Sequence, residues 1–278
     1  TSSPELVVNI VGAIQGAPQL AFGNVVGSNI SNLGLVLGIA ALLSPIIILG
    51  DVVRRELPLL LLATTVMTVL ALDGPLEGRA ALLGRADAIV LLLLFCIFVY
   101  ITVIDFLRSR RQDALLDHLD EIPRFVSPNT ARLRWLAVLG GFVLLFVGGE
   151  MTVRFGVALA TQLGISQTVI GLFVVAIGTS MPELVTSVIA ALRRESDLAL
   201  GNIIGSNIFN TLVVMPAGSI ITQVPVPVRG FGDLALSWIL AAALIPIFFF
   251  GKAYLGRISG LALVVVYFSY AGYRLLQA

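Results

Sequence analysis

Long apolar runs, separated by short polar or charged connections, make up most of this chain. Apolar runs of about 20 residues are long enough to cross a bilayer as helices. We predict such spans over residues 20–48, 57–72, 88–107, 135–163, 169–193, 198–221, 234–250 and 255–276. Residues 1–13, which precede a Gln-Gly-Ala-Pro turn, predict the second half of a further, broken span. The pattern therefore predicts an all-α polytopic membrane protein with nine spans, the first of them incomplete.

Composition supports the membrane class and excludes others. Of the 278 residues, 58% are hydrophobic and 12% are charged, whereas soluble domains carry about 25% charged residues. The 17 basic and 16 acidic residues nearly cancel, which argues against a nucleic-acid partner. The single cysteine, Cys96, excludes an internal disulfide framework and a cysteine-rich metal site.

A Pro-Glu motif interrupts one of the apolar runs. Residues 179–183 read Thr-Ser-Met-Pro-Glu, and residues 1–5 read Thr-Ser-Ser-Pro-Glu. Proline breaks or kinks a helix, and freed backbone carbonyls are tolerated in a membrane only where they line a polar cavity or are buried in protein. A carboxylate, hydroxyls and carbonyls together form the all-oxygen ligand set of hard cations. The motif therefore predicts a cation site.

The two copies of this motif belong to an internal repeat. At an offset of 178 residues, positions 1–32 and 179–210 share sixteen identities without a gap. They include a second motif, Gly-Asn-x-x-Gly-Ser-Asn-Ile-x-Asn, at residues 23–32 and 201–210. Apolar bias alone does not place Thr, Ser, Pro, Glu, Gly and Asn in register, so the chain contains a duplication.

The repeat also predicts the topology. Four spans precede the charged connection, and the second half contributes five, which implies five spans per complete repeat. An odd number orients the copies oppositely, as in the inverted repeats of secondary transporters. We expect residues 1–107 to form an N-terminal repeat lacking its first helix, residues 108–134 a connecting loop, and residues 135–278 the C-terminal repeat. Twelve of the 17 basic residues fall on the side of that loop, so we expect the loop to be cytoplasmic.

The two glutamates of the motifs decide the expected chemistry. Carboxylates inside a membrane are costly and usually functional, and pseudo-twofold symmetry brings Glu5 and Glu183 together. Their two charges balance one Ca²⁺, which takes six to eight oxygen ligands. Without Ca²⁺ the two carboxylates repel each other, and Na⁺ or protons have to neutralise them. A site that can be filled in either way, and must not stand empty, predicts an exchanger.

The paired motifs resemble the two alpha repeats of the cation/calcium exchanger superfamily, in particular its prokaryotic sodium/calcium exchanger branch. This resemblance implies a ten-helix Na⁺/Ca²⁺ antiporter with four cation sites at the midplane, in a prokaryotic plasma membrane. It implies a first helix, and the front of the first broken helix, before Thr1; that first helix would form a sliding pair with the helix at residues 135–163. We expect a monomer in the lipid bilayer, with Na⁺ and Ca²⁺ as its ligands and no cofactor.

The residues that the resemblance implies as ligands lie in or beside the repeated motifs. The implied set is Glu5 and Glu183 as central ligands, Thr1, Thr179 and Ala176 through carbonyl oxygens, Ser2 and Ser180 at an inner Na⁺ site, Ser28 and Ser206 at flanking Na⁺ sites, and Asn32 and Asn210 beside the middle position. The position of Asn210 is Asp in the potassium-dependent branch, and the missing anion argues against K⁺ co-transport.

Three other functions compete with Na⁺/Ca²⁺ exchange. A proton-coupled calcium or cation exchanger could use the same two glutamates, although the motif hydroxyls match Na⁺ better. A passive cation channel would more often arrange its ligands around a symmetric pore. An intramembrane hydrolase is disfavoured because no histidine lies in a predicted span and no lysine lies near Ser180 or Ser206 as a base. We therefore predict a transporter and not an enzyme.

Overall fold

The computed structural model describes residues 1–47, 55–113, 128–250 and 254–277. These residues form ten helical segments. In chain order they are α1 (Ser3–Ile14), α2 (Pro18–Leu43), α3 (Leu57–Leu76), α4 (Arg85–Asp113), α5 (Pro128–Leu163), α6 (Gln167–Thr179), α7 (Met181–Leu192), α8 (Ser196–Ile221), α9 (Gly230–Phe250) and α10 (Arg257–Leu276).

The helices agree with the predicted spans in number and order. Six of them, α2, α3, α4, α5, α8 and α10, are long and apolar enough to cross a membrane, judged by length and composition. Helices α6 and α7 meet at a bend of 48° and together form a seventh, broken span. The shorter apolar helices α1 and α9 account for the remaining two. The predicted all-α membrane class is confirmed.

Two predicted boundaries were wrong. The expected connecting loop at residues 108–134 is shorter, because α4 continues to Asp113 and α5 begins at Pro128; its remaining part, with His118, lies outside the described residues. The second span ends at Leu43 and not at residue 48. Both predictions placed the end of a span where charged residues begin. Helix α4 instead continues into the charged residues, whereas α2 stops before its apolar run ends.

Two short antiparallel strand pairs join the repeats, and the sequence did not predict them. Strand β1 (Ile46–Ile47), which follows α2, pairs with β4 (Tyr254–Leu255), which precedes α10. Strand β2 (Leu82–Leu83), which precedes α4, pairs with β3 (Val224–Pro225), which follows α8. Each pair therefore connects the same two positions of opposite repeats, as a twofold relation requires.

Helices α1–α4 and α7–α10 are the repeated units, related by inversion. The residues that begin α1 and α7 have similar backbone angles, φ −75° and ψ 20° at Ser2 and φ −84° and ψ 7° at Ser180. The turns that end these helices also match: Gly16, at φ 74°, occupies the position that Arg194 occupies at φ 61°. Glycine adopts this left-handed region without steric cost, whereas arginine does so rarely.

Helices α2 and α8 lie at the centre of the bundle and are its most buried long helices. They contain π-helical segments at repeat-related positions, Ser31–Val36 and Asn210–Val214, and a further segment, Gly171–Val175, lies in α6. Such segments are frequent at functional sites because they redirect backbone carbonyls. Helices α2 and α6 approach closely; at Gly27 a Cβ atom would lie 2.4 Å from the Leu172 carbonyl oxygen.

Candidate cation-binding site

Glu5 and Glu183, the two predicted central ligands, lie in the first turns of α1 and α7 and are fully buried, with 0% exposure each. Each accepts a hydrogen bond from the motif serine of the opposite repeat. The Ser180 hydroxyl donates to Glu5 Oε1 at 3.1 Å, and the Ser2 hydroxyl donates to Glu183 Oε1 at 3.0 Å. These crossed contacts bring the two carboxylates to one place between the repeats.

The serines of the second motif differ between the repeats. The Ser206 hydroxyl donates a second hydrogen bond to Glu183 Oε1, at 3.2 Å. Its counterpart Ser28 is fully buried, and its hydroxyl has no hydrogen-bond partner among the described residues. The Oε2 atoms of both glutamates also lack partners within the described part of the chain. Buried polar atoms nearly always have a partner. The missing partner of these oxygens makes them candidates for binding an ion.

The predicted asparagine ligands are also buried at this place. The Asn32 amide donates to Asn207 Oδ1 at 3.0 Å, and its own Oδ1 has no partner within the described ranges. Asn210 is fully buried, and neither its amide nitrogen nor its Oδ1 is paired to a described residue. Both asparagines lie in the π-helical segments of α2 and α8. Two amide oxygens, one from each repeat, are therefore buried without a partner in the described residues.

The threonines and Ala176 surround the glutamates from the helix breaks. Thr179 is buried, and its hydroxyl lies 3.1 Å from Asn24 Oδ1 and 3.3 Å from the Ala176 carbonyl oxygen. The Ala176 carbonyl also accepts the Ser180 amide, at 3.0 Å. Thr1 is exposed, and its hydroxyl lies 3.1 Å from Asn202 Oδ1. The ion-binding roles of these carbonyls stay predictions.

Sequence reasoning assigned no site role to several asparagines that the structure places here. Asn24 and Asn202 bond to the main chain of the glutamates. Asn29 and Asn207 join α2 to α8: the Asn29 amide donates to Thr211 Oγ1 at 2.9 Å, and the Asn207 amide donates to the Asn29 carbonyl at 3.1 Å. Their repetition at the 178-residue offset was a visible signal, but it indicated only helix packing.

The charge of the site is limited to the two glutamates. Among the described residues, no three histidine, cysteine, aspartate or glutamate side chains form a metal-binding group. The other oxygens are neutral hydroxyl, amide or carbonyl groups. Hard cations such as Na⁺ and Ca²⁺ prefer such oxygen ligands, whereas transition metals favour nitrogen and sulfur. The described oxygens therefore fit the ligand preference of a hard cation, and two of the groups are carboxylates.

Comparison with protein families shows which family this chain belongs to. The profile described as sodium/calcium exchanger protein matches residues 1–104 and 133–276, which is most of the chain. The chain belongs to the sodium/calcium exchanger protein family. The resemblance stated from the paired motifs is confirmed.

Solved structures of the sodium-calcium exchanger NCX_Mj support the family and the fold. The crystal soaked with 100 mM Na⁺ and 10 mM Sr²⁺ is similar with a TM-score of 0.67 and 30% identity, and the match covers 96% of this chain and 80% of that one. The similarity confirms the inverted-repeat fold of this exchanger family for this chain. It also confirms that the chain is an integral multi-pass membrane protein.

Two of the relatives carry the name of a transporter. The putative antiporter CaxA of Alkalimonas amylolytica is 40% identical over 80% of this chain. The sodium/calcium exchanger MaX1 of Methanosarcina acetivorans is 30% identical over 77% of this chain and 68% of its own length. Our chain spans 66% of the length of CaxA and the same share of the inner membrane protein YrbG of Escherichia coli. The chain therefore belongs to a family of exchangers and not to a family of enzymes.

Proposed function

We propose that this protein is a secondary antiporter that exchanges Na⁺ for Ca²⁺ by alternating access, with Glu5 and Glu183 as ligands shared by both ions. The observation that carries the proposal is the crossed pair of hydrogen bonds, from Ser180 to Glu5 and from Ser2 to Glu183. They hold two fully buried carboxylates together while one oxygen of each stays without a partner in the described residues.

Charge supports an exchange cycle over simple binding. Two carboxylates buried together repel each other strongly in a low-dielectric interior, and a charged group inside a membrane is costly unless compensated. One Ca²⁺ or two Na⁺ ions compensate both charges. An ion can therefore leave at low cost only when another replaces it, which couples the two fluxes.

The neutral oxygens favour Na⁺ over protons as the replacing ion. A proton needs only a carboxylate oxygen, whereas Na⁺ needs several ligands around it. The unpaired Ser28 hydroxyl and the unpaired Oδ1 atoms of Asn32 and Asn210 supply such ligands beside the glutamates. Proton coupling would leave these buried oxygens without a partner in the proton-loaded state.

The broken helices support alternating access. The two glutamates lie beside the bend of 48° between α6 and α7 and at the equivalent start of α1. Helix breaks at the midplane are where secondary transporters bind their substrates, and the two repeats rock around them. We therefore assign the ligands to these breaks and the conformational change to motion of the surrounding helices.

The experiment is Ca²⁺ uptake by vesicles that contain the full-length protein. We expect uptake when the vesicles are loaded with Na⁺ and none when choline replaces Na⁺. Glu5→Gln and Glu183→Gln should each abolish uptake, since each removes one of the two compensating charges. Glu77→Gln, at an exposed glutamate whose partner is Arg79, is the matched control and should keep it.

Three outcomes would contradict the proposal. Uptake that needs a pH gradient and ignores Na⁺ would indicate the proton-coupled exchanger. Downhill Ca²⁺ flux without any counter-ion would indicate a channel. Full uptake by either glutamine variant would remove the glutamates from the ion site.

A further inference from the structure

Asn24 occupies a bridging place beside the candidate site. Its amide nitrogen donates to the main-chain carbonyl of Glu5 and to Asn9 Oδ1, both at 3.3 Å. Its Oδ1 accepts the hydroxyl of Thr179 at 3.1 Å. The donor side of this one amide thus binds the N-terminal repeat, and its acceptor side binds the C-terminal repeat.

Asn202 makes the same connections in the opposite direction. Its amide nitrogen donates to the main-chain carbonyl of Glu183 at 3.4 Å and to Ser187 Oγ at 2.9 Å. Its Oδ1 accepts the Thr1 hydroxyl at 3.1 Å. Asn9 and Ser187 are themselves repeat-related positions, so the whole three-part arrangement occurs twice.

The hydrogen bonds separate these two asparagines from the candidate ligands. The side-chain oxygens of Asn32 and Asn210 have no partner among the described residues, as expected of ligands. The side-chain atoms of Asn24 are all paired although the residue is fully buried. Because the Asn24 Oδ1 already accepts the Thr179 hydroxyl, we assign this amide to fixing the position of its neighbours.

We propose that Asn24 and Asn202 are positioning residues that hold the Pro-Glu motif of one repeat in register with the Thr-Ser motif of the other. The inference rests on the proposed function. Each amide fixes the backbone at one glutamate and, through the threonine hydroxyl, the backbone that precedes the opposite glutamate. The two amides thereby set the spacing of ligands that belong to different repeats.

The test is a double-mutant cycle on Asn24 and Thr179 in the uptake assay. We expect Asn24→Leu and Thr179→Val each to raise the half-saturating Ca²⁺ concentration about tenfold, because a buried polar group loses its partner. The maximal rate should stay within about twofold, since the ion ligands remain. The double variant should be no worse than the more affected single variant, because both changes break the same contact. Thr179→Ser keeps the hydroxyl and should recover most of the half-saturation lost in Thr179→Val.

Controls separate positioning from folding and from the proposed function. Thr68→Val removes a hydroxyl that donates to the Thr64 carbonyl within α3 and should leave half-saturation unchanged. If Asn24→Leu does not fold, Thr179→Val and Thr179→Ser test the same contact. Additive effects in the cycle, or wild-type half-saturation in Thr179→Val, would overturn the inference. Wild-type vesicles without Na⁺-dependent uptake would instead overturn the proposed function.

Discussion

The crossed contacts at the glutamates are the same in both repeats, whereas the ion pairs away from them differ. At the site, both repeats present a serine to the opposite carboxylate and an asparagine to the opposite threonine. Away from the site, one repeat-related position carries opposite charges in the two repeats. Arg55 of the N-terminal repeat pairs with Asp105 at 3.1 Å, whereas Asp233 of the C-terminal repeat, 178 positions later, pairs with Arg274 at 3.0 Å.

The surroundings of these ion pairs differ as well. The Arg55 and Asp105 side chains are 37% and 46% exposed. The Arg274 and Asp233 side chains are 6% and 1% exposed, and the Tyr270 hydroxyl donates a further hydrogen bond to Asp233 at 2.7 Å. One pair is therefore a partly exposed contact and the other is a buried network.

The difference between the site contacts and the ion pairs follows from the repeat to which each bonding partner belongs. At the site, each residue bonds to the other repeat, so a change in one copy must suit the partner in the opposite copy. Both ion pairs lie within a single repeat, one between α4 and the residues before α3 and the other between α9 and α10, so each repeat could change its charges independently. The crossed contacts that join the repeats occur in both copies, whereas the ion pairs within each repeat differ.

The largest expected effect that tests this comparison is on stability. Asp233→Asn leaves the Arg274 guanidinium buried without its counter-charge, which typically costs about 3–5 kcal/mol. Asp105→Asn removes a partly exposed pair, which typically contributes about 0–1 kcal/mol. We expect a much lower Tm in detergent for Asp233→Asn and nearly the wild-type Tm for Asp105→Asn. Equal decreases would show that the two pairs are energetically alike.

A smaller effect concerns the serines of the second motif, Ser28 and Ser206. Ser28→Ala removes a hydroxyl without a partner in the described residues, so we expect only the half-saturating Na⁺ concentration to rise, by about fivefold. Ser206→Ala also removes a hydrogen bond to Glu183, so Na⁺ and Ca²⁺ half-saturation should both rise by a similar factor, as about 1 kcal/mol implies. Vesicle uptake with varied Na⁺ and Ca²⁺ measures both. Identical profiles would mean that the asymmetry at the site has no functional consequence.

The sequence predicted the parts that repetition makes visible. Apolar runs indicated the spans, and the offset of 178 residues between the two motif copies paired Glu5 with Glu183. The two motifs also named the family. These inferences depended on identities within the chain and on the cost of placing polar groups in a membrane.

The remaining features depend on contacts between distant residues. The partner of Asn24 is Thr179, 155 positions away, and neither residue type indicates that it bonds to the other. The π-helical segments at Ser31–Val36 and Asn210–Val214 depend on the register of backbone hydrogen bonds, which side-chain composition does not encode. The two-residue strands consist of apolar residues at helix ends and are too short for a periodic pattern.

Calcium binding to the purified full-length protein tests the central claim most directly. Calorimetric titration in Na⁺-free buffer should show one Ca²⁺ per wild-type molecule, with affinity that falls as Na⁺ is added. Glu5→Gln and Glu183→Gln should each lose this binding, although they lie in opposite repeats, while Glu77→Gln should keep it. Unchanged Ca²⁺ affinity in either site variant, or wild-type binding that Na⁺ does not weaken, would contradict a shared site built from two buried glutamates.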